Sequence, residues 1–292
     1  MSATQTSSHG SDSAFESAES LQFELARELI ADRYGFWVGN SWSGQLETRL
    51  AARAEATGRI GIGDYLNLLR SPEGENEIVT LVEGLLNGET CFLRTQPHFA
   101  ALLETVMRPW RASHAPGQRF RIASLGCSTG EEPYSIAMVL NERLSASELA
   151  DIEISGLDVN SRALAMARTA NYEEFQLREL TDIQRQRWFT KVQGQWQLHP
   201  TLRAGVRFLQ HNLLEPLPFA GLDVIFCRNV MIYFKQPLVS ACFAEFHSAL
   251  RPGGFLFLGH SESAFGFPEY FEPVQIPDGV IYQKKPATIF PS

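Results

Sequence analysis

Cysteine is scarce in this 292-residue chain: Cys91, Cys127, Cys227 and Cys242 are its four, far apart and without C-x-x-C spacing. That excludes a disulfide framework and a thiolate zinc ribbon, and it fits a reduced, cytoplasmic setting. Its 7 histidines are scattered and form no cluster, so no metal site is expected. No apolar run approaches the roughly 20 residues that a membrane-spanning helix needs. The N-terminus lacks the basic and apolar regions of a secretion signal. Basic charge is in deficit, with 25 Lys and Arg against 33 Asp and Glu and a net charge of −8. A long nucleic-acid footprint needs the opposite balance. No Ser/His/Asp set can be argued and no Asn/Asp-Pro-Pro-Tyr motif is present, so neither a serine hydrolase nor a nucleic-acid amino-methylating enzyme is indicated. What remains is an ordinary globular composition, 44% apolar, long enough for two domains with sizeable cores.

The pattern along the chain divides it. Residues 1–19 are rich in Ser, Thr, Gly and Ala and are expected to be a disordered tail. Residues 20–88 read as a helical domain, with apolar residues three and four apart in 21–34, 43–56, 62–69 and 77–86. Residues 89–119 are a linker and connecting helix, the helix over 96–113. From 120 to 286 strands and helices alternate, which predicts an α/β, doubly wound, mostly parallel sheet. The predicted strands are 120–125, 152–157, 206–209, 222–226, 255–259 and 280–283. The last two lack a helical crossover between them, so an antiparallel hairpin or edge strand is expected there. About 171–205 interrupts the alternation. It holds short runs either side of Gly194, read as an inserted small β-subdomain with a hairpin.

The most informative stretch is Ala123-Ser124-Leu125-Gly126-Cys127-Ser128-Thr129-Gly130-Glu131-Glu132-Pro133-Tyr134-Ser135. It is a strand, a glycine turn and a helix start, where α/β folds place a nucleotide. A phosphate site leaves the helix N-terminus free of anions, because the backbone N–H groups must face the phosphate. Here Glu131 and Glu132 stand in that position, so a pyrophosphate is repelled and a cation attracted. A positively charged nucleoside fits, and S-adenosylmethionine (SAM) carries both a sulfonium and an ammonium.

Other candidates lie at further strand ends. Asp158 closes the second strand, where an acid accepts from ribose hydroxyls, and Asn160 can cap the next helix instead. Asn212 and Leu213 follow the third strand, an amide for an adenine edge and an apolar side chain for its ring. Cys227, Arg228, Asn229 and Tyr233 follow the fourth. A buried strand ending in Arg-Asn is costly unless those groups meet a partner. Arg94 lies between the helical and α/β segments beside Phe92 and Leu93. His98, His211 and His260 read as structural or capping.

The order of these pieces resembles the CheR-type chemotaxis receptor methyltransferases, which transfer a methyl group from SAM to receptor glutamates. The resemblance spans about 20–285 and rests on Thr90–Arg94, Ser128-Thr129-Gly130-Glu131-Glu132-Pro133-Tyr134-Ser135, Asp158, Asn212-Leu213-Leu214, Phe226–Phe234 and Gly259-His260-Ser261-Glu262-Ser263. It implies a methyltransferase-type sheet preceded by a small all-helical domain. It implies SAM contacts from Thr90, Arg94, Glu132, Asp158, Asn212, Leu213, Cys227, Arg228 and Asn229, with Arg94 and Tyr233 beside the transferring methyl. S-adenosylhomocysteine (SAH) is then the product. Gly88 departs from the family, where Asn is frequent, and a cofactor contact there is lost or made by main chain. Some members bind a receptor-tail pentapeptide through a glycine-containing extension of the inserted hairpin. The short connection at Gly194 resembles members that do not need it.

The implied partners are cytoplasmic helices of methyl-accepting chemoreceptors. Arg49 and Arg53 share one face of the 43–56 helix and are the expected docking cations of a monomeric protein. Two other readings stay open, a dinucleotide-dependent oxidoreductase and a methyltransferase-like scaffold in a signalling complex.

Overall fold

A computed structural model describes residues 9–39, 42–85, 90–113, 115 and 117–285. The chain forms two compact units, 1–87 and 88–292.

The first unit is helical: α1 His9–Tyr34, α2 Ser43–Ala56, α3 Gly61–Arg70 and α4 Glu75–Leu85. Each of the last three buries the stripe its periodicity marks. α2 buries Leu46, Leu50 and Ala54, α3 buries Tyr65, Leu66 and Leu69, and α4 buries Ile78, Leu81, Val82 and Leu85. An ion pair staples the three helices. Arg53 Nε and Nη2 donate to the two oxygens of Glu77 at 2.7 and 2.6 Å, and the Tyr65 hydroxyl donates to Glu77 at 2.7 Å. Residues 1–8 of the expected tail lie outside the described residues. From His9 onward the backbone is helical, so α1 begins well before the apolar pattern does.

The second unit opens with a helix that runs α5 Gln96–Ala101, a π-helical turn Leu102–Met107 and α6 Arg108–Ser113. Then come β1 Phe120–Leu125, α7 Glu131–Arg143, α8 Ala146–Ala150, β2 Ile152–Asp158 and α9 Ser161–Thr169. The insert follows: β3 Asn171–Tyr172, α10 Asp182–Trp188, β4 Phe189–Val192, β5 Gln195–Leu198 and α11 Pro200–Ala204. The unit closes with β6 Val206–Gln210, β7 Leu222–Cys227, α12 Gln236–Ala249, β8 Leu250–Leu258, β9 Phe271–Ile276 and β10 Gly279–Lys284.

The main sheet has the order β6-β2-β1-β7-β8-β10-β9. The strands β6, β2, β1, β7 and β8 are parallel, and β10 runs antiparallel to both neighbours. β7 is buried at every position. Its one charge, Asp223, is met by the Arg121 N–H at 2.8 Å and by the Arg251 side chain. Successive strands build outward from β1 toward β6, and the chain then returns to β7. The carboxyl ends of β1 and β7 therefore form the switch point where sheets of this kind hold ligands.

The sequence pattern missed β9. Its run Phe-Glu-Pro-Val-Gln-Ile carries an internal Pro, tolerable because β9 is an edge strand. The two last predicted strands, β8 and β10, pair antiparallel as expected, but the hairpin is β9–β10. β8 begins at Leu250 rather than after Gly254, with a register shift where it leaves Leu222. The inserted hairpin is present as β4–β5. Its turn residues Gln193 and Gly194 are both at positive φ, 50° and 89°. It gains β3 as a third strand, in the order β3-β5-β4.

Candidate cofactor site

The turn after β1 is held in a conformation that few sequences accept. Gly126, Ser128 and Gly130 have φ of 66°, 50° and 91°. Gly126 has a second constraint: a Cβ there would lie 2.4 Å from Val230 Cγ2. The strain is met by hydrogen bonds from neighbouring loops. The Ser128 N–H donates to Asp158 Oδ2 at 2.7 Å and the Cys127 N–H to the Leu157 carbonyl at 3.0 Å. Asp158 Oδ1 accepts the Asn160 N–H at 2.8 Å. The Asp158 carbonyl accepts the His211 N–H at 3.0 Å. The loops after β1, β2 and β6 are thus stitched together through one residue. Burial raises the Asp158 carboxyl, opposed by its bonds from Asn160 and Ser128. A carboxylate offers about four acceptor positions, and with the Val159 N–H also bonded to it about one remains for a ribose hydroxyl. Asn160 caps α9 through the Ala163 N–H at 2.7 Å, which leaves Asp158 free of that task.

The two glutamates of the turn do different things, which corrects their reading as a pair of cation attractors. Glu131 is fully buried. Its carboxylate accepts the Thr129 hydroxyl at 2.7 and 2.8 Å and the Gln176 side-chain amide from the insert. It locks the turn to the subdomain. Glu132 accepts the Ser124 hydroxyl at 2.8 Å and Arg228 Nη1 at 3.0 Å. Burial raises its carboxyl, and the Arg228 charge opposes this first among the remaining causes. Arg228 is thereby a partner of Glu132, with 3% side-chain exposure against 16%.

Arg228 also reaches the segment carrying Arg94. Its Nη2 donates to the Arg94 carbonyl at 2.7 Å. Arg94 is flanked by Leu93 and Thr95 at φ 54° and 66°. Left-handed backbone costs a non-glycine residue about 1–2 kcal/mol. The Leu93 N–H is held by Ser135 Oγ at 2.8 Å, and that hydroxyl donates to the Glu131 carbonyl at 2.6 Å. Thr90 precedes the segment, half-buried, and Gly88 lies outside the described residues.

After β7, Cys227 is fully buried and burial lifts its thiol well above the ordinary range, so it is a packing residue rather than a nucleophile. Asn229 stands at φ 60°. Tyr233 is half-buried. Burial pushes its phenol up, the nearby Arg94 guanidinium opposes that, and the Glu262 carboxylate adds to it. Asn212 and Leu213 are half-buried at the end of β6. Asn212 Oδ1 accepts the Leu214 N–H at 3.1 Å, and Leu213 packs on the core beneath β7. The fold thus gathers Asp158, Asn212, Leu213, Glu132, Asn229, Arg94 and Tyr233 at the carboxyl edge of one unit. Ser135, Gln176 and Glu262 support them without having been singled out by residue type.

The all-alpha domain model of the CheR methyltransferases matches residues 21–86, and their SAM-binding domain model matches residues 88–280. The chain belongs to the CheR methyltransferase family. Among its relatives, chemotaxis protein methyltransferase Cher2 of Pseudomonas putida is 32% identical over 276 residues, 92% of this chain and all of that protein. The chemotaxis protein methyltransferases of Klebsiella aerogenes and Escherichia coli are 36% and 34% identical over 250 residues, 82% of this chain and 82% and 84% of theirs.

SAM is therefore the cofactor of this CheR chain, and the chemistry is methyl transfer in chemotaxis. The donor set fits it. Asp158 has acceptor capacity for a ribose hydroxyl, Asn212 and Leu213 offer an amide and an apolar wall, and the first turn of α7 carries two carboxylates. That disfavours a dinucleotide pyrophosphate. Among the described residues no helix is long and apolar enough to cross a membrane.

Proposed function

We propose that the chain methylates glutamate side chains on the cytoplasmic helices of methyl-accepting chemoreceptors. What supports this reading is the chemotaxis methyltransferase family itself, together with Tyr233 in the loop after β7, a half-buried phenol within electrostatic reach of Arg94 and Glu262. A glutamate, with an ordinary pKa of about 4.3, is ionised at neutral pH, so no general base is needed. The protein must place and desolvate the carboxylate. When bound, SAM supplies an electrophilic methyl on a sulfonium. Arg94 attracts the incoming carboxylate, and the Tyr233 hydroxyl orients one of its oxygens. Asp158 holds the ribose, Asn212 and Leu213 take the adenine, and Thr90 and the Cys227–Asn229 segment line the rest. Glu132, already paired with Arg228, keeps lone pairs for the methionyl ammonium.

The half-buried partner of Arg53 changes the docking expectation. Its guanidinium is committed to Glu77 and Arg59 is paired with Asp64 at 3.8 Å, so the cation offered to a receptor helix is the exposed Arg49. The two-residue turn at Gln193-Gly194 supports recognition without a receptor-tail pentapeptide. The protein acts as a cytoplasmic monomer on this reading. The test is transfer of labelled methyl from SAM to receptors of the same cell, full-length and tail-deleted. Label that alkali releases is a methyl ester. Alkali-stable label, or none, rules out glutamate as the acceptor. Loss of labelling on tail deletion rules out independence from the pentapeptide.

A further inference from the structure

Glu262 lies four residues beyond β8, and its two oxygens accept four main-chain N–H groups. Oε2 takes those of Gly259 at 2.7 Å and Asn229 at 2.8 Å, and Oε1 takes those of Val230 at 2.9 Å and Met231 at 2.8 Å. About four acceptor positions are all that a carboxylate has, so these bonds saturate it. The donors come from the loops after two adjacent parallel strands, β7 and β8. The approach is close enough to exclude a side chain at Gly259. A Cβ there would stand 2.6 Å from Glu262 Oε2 and 2.9 Å from the Asn229 nitrogen.

The loop so gripped would not hold its shape unaided. Asn229 sits in the left-handed region at φ 60°, and Met231–Tyr233 is a single 3-10 turn. The first N–H groups of such a turn have no partner within it. Here they point at Glu262 instead. Two site features hang on this loop. Tyr233 ends the 3-10 turn, and Val230 presses on the Gly126 turn after β1. A shift of the loop therefore moves the phenol and the floor of the glycine turn together.

We propose that Glu262 is a positioning residue for methyl transfer: its saturated carboxylate fixes the Asn229–Tyr233 loop against the β1 turn. The inference rests on the reading of Asn229 and Tyr233 as site residues. The reason for a carboxylate is arithmetic. A glutamine of the same shape presents one oxygen, and its NH2 group would face two N–H donors.

The experiment is hydrogen–deuterium exchange on the full chain beside calorimetric titration with SAH. In Glu262→Gln one of the two pairs of amides, Asn229 with Gly259 or Val230 with Met231, loses its acceptor and should exchange about tenfold faster or more, the scale of a lost charged hydrogen bond. The amides of Val224, Phe226 and Leu256 should be unchanged, and the Kd for SAH should rise about tenfold. Glu262→Asp retracts the carboxylate by one methylene and should give the same local pattern if the Gln variant does not fold. Wild-type exchange at both pairs of amides in either variant overturns the proposal, as does acceleration spread evenly through β7 and β8. An unchanged SAH affinity in Glu262→Gln overturns it as well. Asn229→Ala separates the two readings. If it binds SAH like wild type while Glu262→Gln shows both effects, the cofactor role of Asn229 fails and the clamp stands. If it weakens SAH while Glu262→Gln shows neither effect, the clamp fails alone.

Discussion

Replacing Arg228 with Met tests whether the site is built around a buried ion pair. Met is unbranched and similar in length, so the change removes charge with little loss of packing. It strands Glu132, which keeps Ser124 as a donor at 2.8 Å but loses the guanidinium at 3.0 Å, and the nearby Glu262 charge then acts on it unopposed. Breaking a buried pair from one side costs about 3–5 kcal/mol. For a unit of this size each kcal/mol is worth about 2–4 °C, so the melting of the α/β unit should fall by roughly 6–20 °C at pH 8.

The loss should depend on pH in a fixed direction. Burial already raises the Glu132 carboxyl in the folded protein, and removing the Arg228 charge raises it further. A folded-state pKa above the unfolded value of about 4.3 means that folding takes up a proton. Such a group destabilises least below the unfolded pKa, and stability drains away as pH climbs through the folded one. The gap between wild type and variant should therefore widen from pH 5.5 to pH 8. His98, buried near Arg228, is pushed down to about 4, first by burial and then by that charge. Burial persists in the variant, so the imidazole stays neutral over this range. Adding Glu132→Gln to the variant should restore most of the melting temperature at pH 8, because no charge is then stranded. Calorimetric scans of wild type, both single variants and the double variant at the two pH values decide it. A loss equal at pH 5.5 and 8, or a double variant no more stable than Arg228→Met, would refute the reasoning.

Other outcomes follow from the same geometry. Asp158→Asn should weaken SAH by about 1.5–3 kcal/mol, the value of hydrogen bonds to a charged acceptor; titration showing equal affinity would remove Asp158 from the ribose site. Tyr233→Phe should lower kcat while SAH affinity stays within twofold, and equal turnover would return Tyr233 to a packing role. Arg53→Gln should lower the melting temperature of the helical unit by the equivalent of about 1–2 kcal/mol, since the Glu77 pair is only partly screened from water. Receptor KM should be unmoved in that variant and raised in Arg49→Glu; a KM change confined to Arg53→Gln would reinstate Arg53 as the docking cation.

The sequence alone determined what short-range chemistry determines. Leu46, Leu50 and Ala54 recur every fourth residue, which only a helix can bury on one side. Five of the six residues of β7 are apolar, a run that a central parallel strand hides. The strand, glycine turn and acidic helix start after β1 marked a nucleotide turn and disfavoured a pyrophosphate, because φ preference and charge at a helix N-terminus are local properties. β9 escaped because its internal Pro interrupts the strand alternation, and only pairing with β10 makes it a strand. Partner choice was decided by the tertiary structure. Glu131 and Glu132 are neighbours with equal chemistry, yet one faces Gln176, 45 residues on, and the other Arg228, 96 residues on. Arg53 pairs with Glu77, 24 residues away, rather than with Glu47 or Glu55 on its own helix. Glu262 belongs to a run that marks the family resemblance, but its task shows only when β7 and β8 lie side by side and bring four N–H groups to it. A side chain's type fixes which bonds it can make, and only chain topology fixes which partners come within 3 Å, the reach of a hydrogen bond.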